Sequence, residues 1–149
     1  MMEGITVTPL KIIPGDKGKV MHAMTVDAPG FKGFGEAYFS TIVKGEVKGW
    51  KKHLRMVLNL VVVTGKVKFI VYDDRPSSSS FGKFIFFEIS PGDNYQRLTI
   101  EPGLWMAFEG LGASENIILN LADIRHDPTE TESCDLHSGR IPYDFSYLL

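Results

Sequence analysis

Short apolar runs, rich in Val, Ile, Phe and Tyr, recur about every ten residues along the chain, with Gly, Pro, Asn or Asp between them. Apolar positions spaced for a helix face are nearly absent, so the pattern predicts an all-β sandwich or barrel. The expected strands are Ile5 to Ile12, Gly35 to Ile42, Val57 to Val63, Lys66 to Tyr72, Lys83 to Ile89, Gln96 to Ile100, Leu104 to Glu109 and Asn116 to Ala122. Val57 to Val63 and Lys66 to Tyr72 flank Thr64-Gly65 and read as a hairpin, the second run alternating Lys66 and Lys68 outward with Val67, Phe69 and Val71 inward. Tight turns are expected at Pro14-Gly15-Asp16, Pro91-Gly92-Asp93-Asn94 and Pro102-Gly103. Eight or more such strands suit a jelly roll. After Asp127 the chain becomes polar, then ends in Ile141-Pro142-Tyr143-Asp144-Phe145, so residues 127–149 are expected to dock as a tail through their aromatics.

The chain has 149 residues, 44% of them hydrophobic, which is enough for one domain with a real core and too little for two ordinary ones. A formal net charge of −2 gives no long-range attraction to nucleic acid or to an anionic membrane, and neither partner is expected. No stretch approaches the roughly 20 apolar residues of a membrane-spanning helix. A single Cys134 cannot form an internal bridge, and the opening residues lack the apolar segment of a signal peptide, which points to a reducing cytoplasm.

Three constellations carry the chemistry. In Lys48-Gly49-Trp50-Lys51-Lys52-His53, an extended backbone puts Lys51 and His53 on one face. A lysine ammonium is a poor metal ligand, and the nearby Met56 and Leu58 offer a divalent transition metal little, so no metal is expected. The second is Pro102-Gly103-Leu104-Trp105-Met106-Ala107-Phe108, where Met106 is expected to pack in the core because a thioether can neither shuttle protons nor bind phosphate. The third is Asp73-Asp74-Arg75 with Ser78-Ser79-Ser80-Phe81-Gly82-Lys83, an ordered loop of hydroxyls and cations. No Gly-rich phosphate loop, zinc spacing or RNA-binding signature is present.

In order and spacing these segments resemble the dTDP-4-dehydrorhamnose 3,5-epimerase family, whose members read Asp-x-Arg, then Ser-Pro-Thr-Phe-Gly, then Pro-x-Gly-x-x-His-Gly-Phe. The likeness runs from about Glu3 to Phe145 and implies one cupin-like jelly-roll domain over residues 1–149. It also implies a homodimer in which the strand within residues 1–15 is exchanged onto the partner's sheet. The implied reaction is 3- and/or 5-epimerisation of a dTDP-4-keto-6-deoxyhexose in surface-polysaccharide synthesis, by proton removal beside the C4 ketone and return from the other face, with no cofactor. Short members of the family read Lys-Gly-Trp-His-x-His where this chain has Lys48 to His53, so Lys51 stands at the family's base position and Met106 at its second histidine. Lysine serves as a base only if burial and Lys52 discourage its charge, and it suits the stabilisation of an enolate oxygen as a cation.

The resemblance therefore implies Lys51, His53 and Tyr38 as catalytic groups, Tyr38 and Tyr143 being the nearest substitutes for a family tyrosine missing from Ile117 to Leu121. Implied substrate-binding residues are Glu36, in a segment like the family's Gly-Phe-Phe-x-Glu, together with Lys48, Trp50, Asn59, Arg75, Ser78, Ser80 and Lys83. The alternative reading is a catalytically impaired relative that binds a nucleotide sugar or acts as a structural or regulatory partner.

Overall fold

A computed structural model describes residues 1–148 as twelve strands and two short 3-10 turns. The strands are β1 Ile5–Pro9, β2 Ile12–Gly15, β3 Gly18–Met21, β4 Glu36–Ile42, β5 Val47–His53, β6 Leu58–Thr64, β7 Val67–Tyr72, β8 Phe84–Ile89, β9 Gln96–Ile100, β10 Trp105–Gly110, β11 Asn116–Ala122 and β12 Thr131–Ser133. Two five-stranded antiparallel sheets form a cupin-like jelly roll, in the orders β1-β9-β6-β11-β4 and β12-β5-β10-β7-β8. Period-2 alternation fills the space between them: Leu58, Leu60 and Val62 of β6 face Val67, Phe69 and Val71 of β7, with Leu98, Ile100 and Ile118 completing the core.

The expected hairpin between β6 and β7 does not form. β6 lies between β9 and β11 in one sheet, and β7 lies between β10 and β8 in the other, so the chain changes sheet at Thr64-Gly65. The reason is local. Gly65 has φ +77°, a Cβ there would come within 2.2 Å of Asn116 Oδ1, and that same oxygen accepts the Lys66 amide at 2.8 Å. A side-chain amide thus takes the bond a hairpin partner would have supplied, and it turns the corner.

Ile5 to Pro9 pairs with Ile100 to Gln96 of the same chain, so β1 belongs to its own sheet, and only the β2-β3 hairpin stands apart as a two-stranded sheet. β3 and β12 fall outside the strand runs read from the sequence, and β2 shares only Ile12 with them, because each is only three or four residues long.

The outer face of the second sheet carries its own core. Trp50, Ile70, Trp105 and Ala107 pack there against Ile141 and Phe145 of the tail. The Trp50 ring centroid lies 5.7 Å from that of Phe145 and 6.1 Å from that of Tyr143. Ile70 shares the nominally outward face with Lys68, yet it is fully buried because the tail covers it. Both faces of the sheet that carries β5 are therefore packed, and the site strand is held from behind.

Candidate active site

Between the sheets the jelly roll leaves a cavity of about 310 Å³. One wall is β5 and β10. Here Met106 pairs with Lys51 and Phe108 with Lys48, so Gly49 and Trp50 together oppose Ala107 in a bulge. The extra residue resets the alternation, and Lys48, Lys51 and His53 all line the cavity, although three positions separate the first two. Gly49 permits this at φ +146°, where a Cβ would sit 2.6 Å from that of Ala107. The opposite wall comes from the other sheet: Tyr38 and Ser40 of β4, Leu60 of β6, and Ile118 and Asn120 of β11. Polar groups and cations thus share the cavity with a largely apolar remainder that includes Phe69 and Met106.

The most informative contact was absent from the sequence reading. His53 Nδ1 donates to Oε1 of Glu130 at 2.5 Å, across 77 residues of sequence. Glu130 is 2% exposed, and its Oε2 accepts the backbone amides of Leu54, Arg55 and Met56 at 3.1 to 3.2 Å. Burial opposes ionisation of this carboxyl, but the bonds from His53 and from the Arg55 and Met56 amides outweigh it, and its pKa lies below the ordinary value. The local fold delivers Glu130 there. Asp127 caps the 3-10 turn Pro128–Glu130 by accepting the Thr129 amide at 2.9 Å, and β12 then pairs Thr131 with His53. The legible signal was Asp-Pro capping a turn that ends in an acid, directly before a short extended run.

With Nδ1 committed to Glu130, Nε2 is the free nitrogen of a ring that lines the cavity. Facing it from the other sheet, the Tyr38 hydroxyl accepts from Asn120 Nδ2 at 2.9 Å, and Tyr38 is 39% exposed. Lys48 Nζ donates to the Thr41 carbonyl at 2.6 Å. Lys51 is exposed and, among the described residues, makes no ion pair or hydrogen bond, whereas Lys52 on the opposite face contacts Asp74 and Glu132 and lies over the Trp105 ring.

Other expected site residues lie elsewhere. Asn59 points out of the barrel, accepting from Thr99 at 2.7 Å and donating to the Gly30 carbonyl at 3.0 Å, because β6 turns its even-numbered leucines inward. Trp50 borders the cavity, but its indole packs among Phe84, Tyr143 and Phe145 on the outer face of the sheet. Glu36 shares the face of Tyr38 and Ser40 on β4 without lining the cavity.

Arg75, Ser78 and Ser80 converge on the fully buried carboxylate of Asp73: Arg75 Nε donates at 2.8 Å, and both hydroxyls donate at 2.6 Å. The guanidinium also reaches the Glu3 carbonyl at 2.7 Å, so the loop fastens the N-terminal residues to β7. Lys83 is exposed, and only its backbone joins this loop, its carbonyl accepting the Asp73 amide at 3.1 Å. Burial works against the charge on Asp73, but Arg75, Ser78 and Ser80 overcome it and hold the carboxyl far below its ordinary 3.8. A depressed folded-state pKa contributes stability that is present above the unfolded value and lost as pH falls through it towards the folded one. Wild-type thermal stability is therefore expected to drop below about pH 4, and Asp73→Ala is expected to cost about 3 kcal/mol at neutral pH and to flatten that acid limb in a melting series.

Among the described residues no group of three or more His, Cys, Asp or Glu side chains is placed to hold a metal ion, and no helix is long and apolar enough to cross a membrane.

A jelly roll whose interior holds a histidine–carboxylate pair on one sheet and a phenol on the other is an acid–base barrel of the cupin type. Its likeness to a dTDP sugar isomerase from Desulfovibrio desulfuricans G20 is close: 32% identity over 97% of this chain and 92% of that one, with a TM-score of 0.94. The chain belongs to the same family as that dTDP sugar isomerase. The fold is shared with a dTDP-6-deoxy-D-glucose-3,5-epimerase from Legionella pneumophila Philadelphia 1 in complex with dTDP-4-keto-L-rhamnose, at 19% identity, 97% and 79% coverage and a TM-score of 0.82. A sugar 3,4-ketoisomerase from Thermoanaerobacterium thermosaccharolyticum in complex with TDP follows at 20% identity, 89% coverage of both chains and a TM-score of 0.72. No family model matches the chain, and no curated protein matches it in sequence.

Proposed function

We propose that this protein is an isomerase that epimerises a dTDP-4-keto-6-deoxyhexose at C3 and/or C5, in surface-polysaccharide synthesis. The observation that carries the reading is the His53–Glu130 pair facing Tyr38 across the cavity. His53 Nε2 removes the proton beside the C4 ketone, and Glu130 holds the ring in the tautomer that leaves Nε2 free and stabilises the imidazolium that forms. The electron pair moves into the carbonyl, and Tyr38 returns a proton to the opposite face of the carbon. Inversion requires the two protic groups to sit on opposite sides of the sugar, and they come from opposite sheets. Lys51 meets the C4 carbonyl. The base role falls to His53, because Glu130 engages Nδ1 and leaves Nε2 free in the cavity.

Lys48, at the rim beside Tyr38 and Ser40, is assigned to the diphosphate. Loss of one charge-assisted hydrogen bond is worth about 1.5–3 kcal/mol. Lys48→Ala is therefore expected to raise KM by about 10- to 100-fold with little change in kcat, as steady-state kinetics would read.

The alternative of a relative that binds without turnover rests on Lys51 and Met106 standing where the family keeps histidines. His53 with Glu130 gives the cavity an imidazole of its own, and this favours catalysis. The deciding experiment is incubation with dTDP-4-keto-6-deoxyglucose in deuterated water, following the C3 and C5 protons by NMR. Exchange supports the isomerase, and tight binding without exchange supports the alternative. The β2-β3 hairpin, with Ile13 and Val20 exposed, supports assembly as a homodimer, and the free Cys134 fits a reducing cytoplasm.

A further inference from the structure

Lysine in place of an imidazole changes what can happen to a ketone, and this inference rests on the isomerase reading above. Of the lysines on β5, Lys48 is bonded to the Thr41 carbonyl and Lys52 to Asp74 and Glu132. Lys51 alone of the three has no partner among the described residues, and its side chain lines the cavity. It sits two residues from His53 on the same face, a separation of roughly 7 Å along an extended strand. A lysine side chain nearly spans that length, so its amine and the His53 ring can converge on adjacent carbons. Acid–base geometry alone gives Lys51 only an electrostatic part, although its amine is a primary nucleophile in a cavity proposed to admit a C4 ketone.

We propose that Lys51 forms a covalent iminium with the substrate's C4 carbonyl, and that epimerisation runs through an enamine in place of an enolate. The neutral Nζ adds to C4, breaking the C=O π bond and giving a carbinolamine. Proton transfer to the C4 oxygen lets it leave as water, and the C=N bond forms. His53 Nε2 then takes the proton from the neighbouring carbon, the C–H pair becomes the C=C bond of the enamine, and the iminium π pair returns to nitrogen. Tyr38 delivers a proton to the opposite face of that carbon, restoring the iminium; solvent then reprotonates the Tyr38 phenolate and takes the proton from the His53 imidazolium. Water adds to C4 and Lys51 leaves as the amine, releasing the epimerised ketone. No oxidant or reductant is consumed. The positive nitrogen acidifies the adjacent C–H bond, which is the task that cationic groups at the oxygen perform when an enolate forms.

The test combines trapping with exchange on the full chain. Wild-type protein is incubated with dTDP-4-keto-6-deoxyglucose and sodium cyanoborohydride, and a parallel sample is followed for C3 and C5 deuterium exchange. The expected result is a mass increase of one sugar nucleotide less one oxygen atom, mapped by peptide digestion to Lys51. The adduct should be lost in Lys51→Arg, which keeps the cation, and exchange in that variant should fall as far as in Lys51→Ala. Circular dichroism on both variants confirms that they fold. Deuterium exchange without an adduct, an adduct on Lys48 or another lysine, or a Lys51→Arg variant that exchanges as well as wild type overturns the iminium and leaves the isomerase reading in place. Absence of both exchange and adduct overturns the two together.

Discussion

His53→Asn is expected to reduce deuterium exchange at C3 and C5 by about 10²- to 10⁴-fold while the protein stays folded. Asparagine can still donate a hydrogen bond to Glu130 and fill most of the imidazole's space, so the change removes a base without emptying a buried position. A lower exchange rate with unaltered nucleotide affinity would mean that the imidazole acts only once the sugar is bound. If the variant exchanged like wild type, His53 would be a structural partner of Glu130 and the base would have to be sought elsewhere in the cavity.

Glu130 should show two separable effects, one for each of its oxygens. Glu130→Gln keeps the shape and an acceptor but removes the charge that stabilises an imidazolium. Its expected result is an exchange loss comparable to that of His53→Asn with a melting temperature near wild type, because a hydrogen-bonded amide still occupies the site. Glu130→Ala additionally leaves the Arg55 and Met56 amides without an acceptor. A broken buried pair with orphaned donors costs about 3–5 kcal/mol, or roughly 6–20 °C in a melt of a chain this size. Acidification should mimic part of this. The folded carboxyl titrates below its ordinary 4.5, so its contribution is complete above that value and drains away as pH falls beneath it. Equal melting temperatures for Glu130→Ala and wild type at neutral pH would contradict the anchoring role.

Much of the architecture was readable because its causes are local. Alternation in β7 and β11 and the Pro-Gly turns mark strands wherever the chain is long enough to show a period. The wrong hairpin at Thr64-Gly65 illustrates the limit. A two-residue connection does not say whether its strands pair or part, and here the answer is a bond to Asn116, 50 residues further on. Lys51 and His53 could be placed on one face from their spacing alone, but Lys48 joined them through a bulge that only the pairing with β10 reveals. The serine-rich loop looked like a ligand cradle because hydroxyls and a guanidinium suit phosphate. Asp73, buried in its centre, claims those same donors. Glu130 sat unremarked in an acidic stretch, because a carboxylate gains its meaning from the group it meets, and His53 lies 77 residues earlier.

That distance has a consequence for biosynthesis. Apart from Ser133 of β12, every residue that lines the cavity lies between Tyr38 and Asn120, whereas the carboxylate that orients the imidazole follows on the segment leading into β12. A nascent polypeptide halted on the ribosome before Glu130 would hold its histidine in place with nothing behind it. The histidine–carboxylate pair is thus completed only after the two main walls of the cavity have been made.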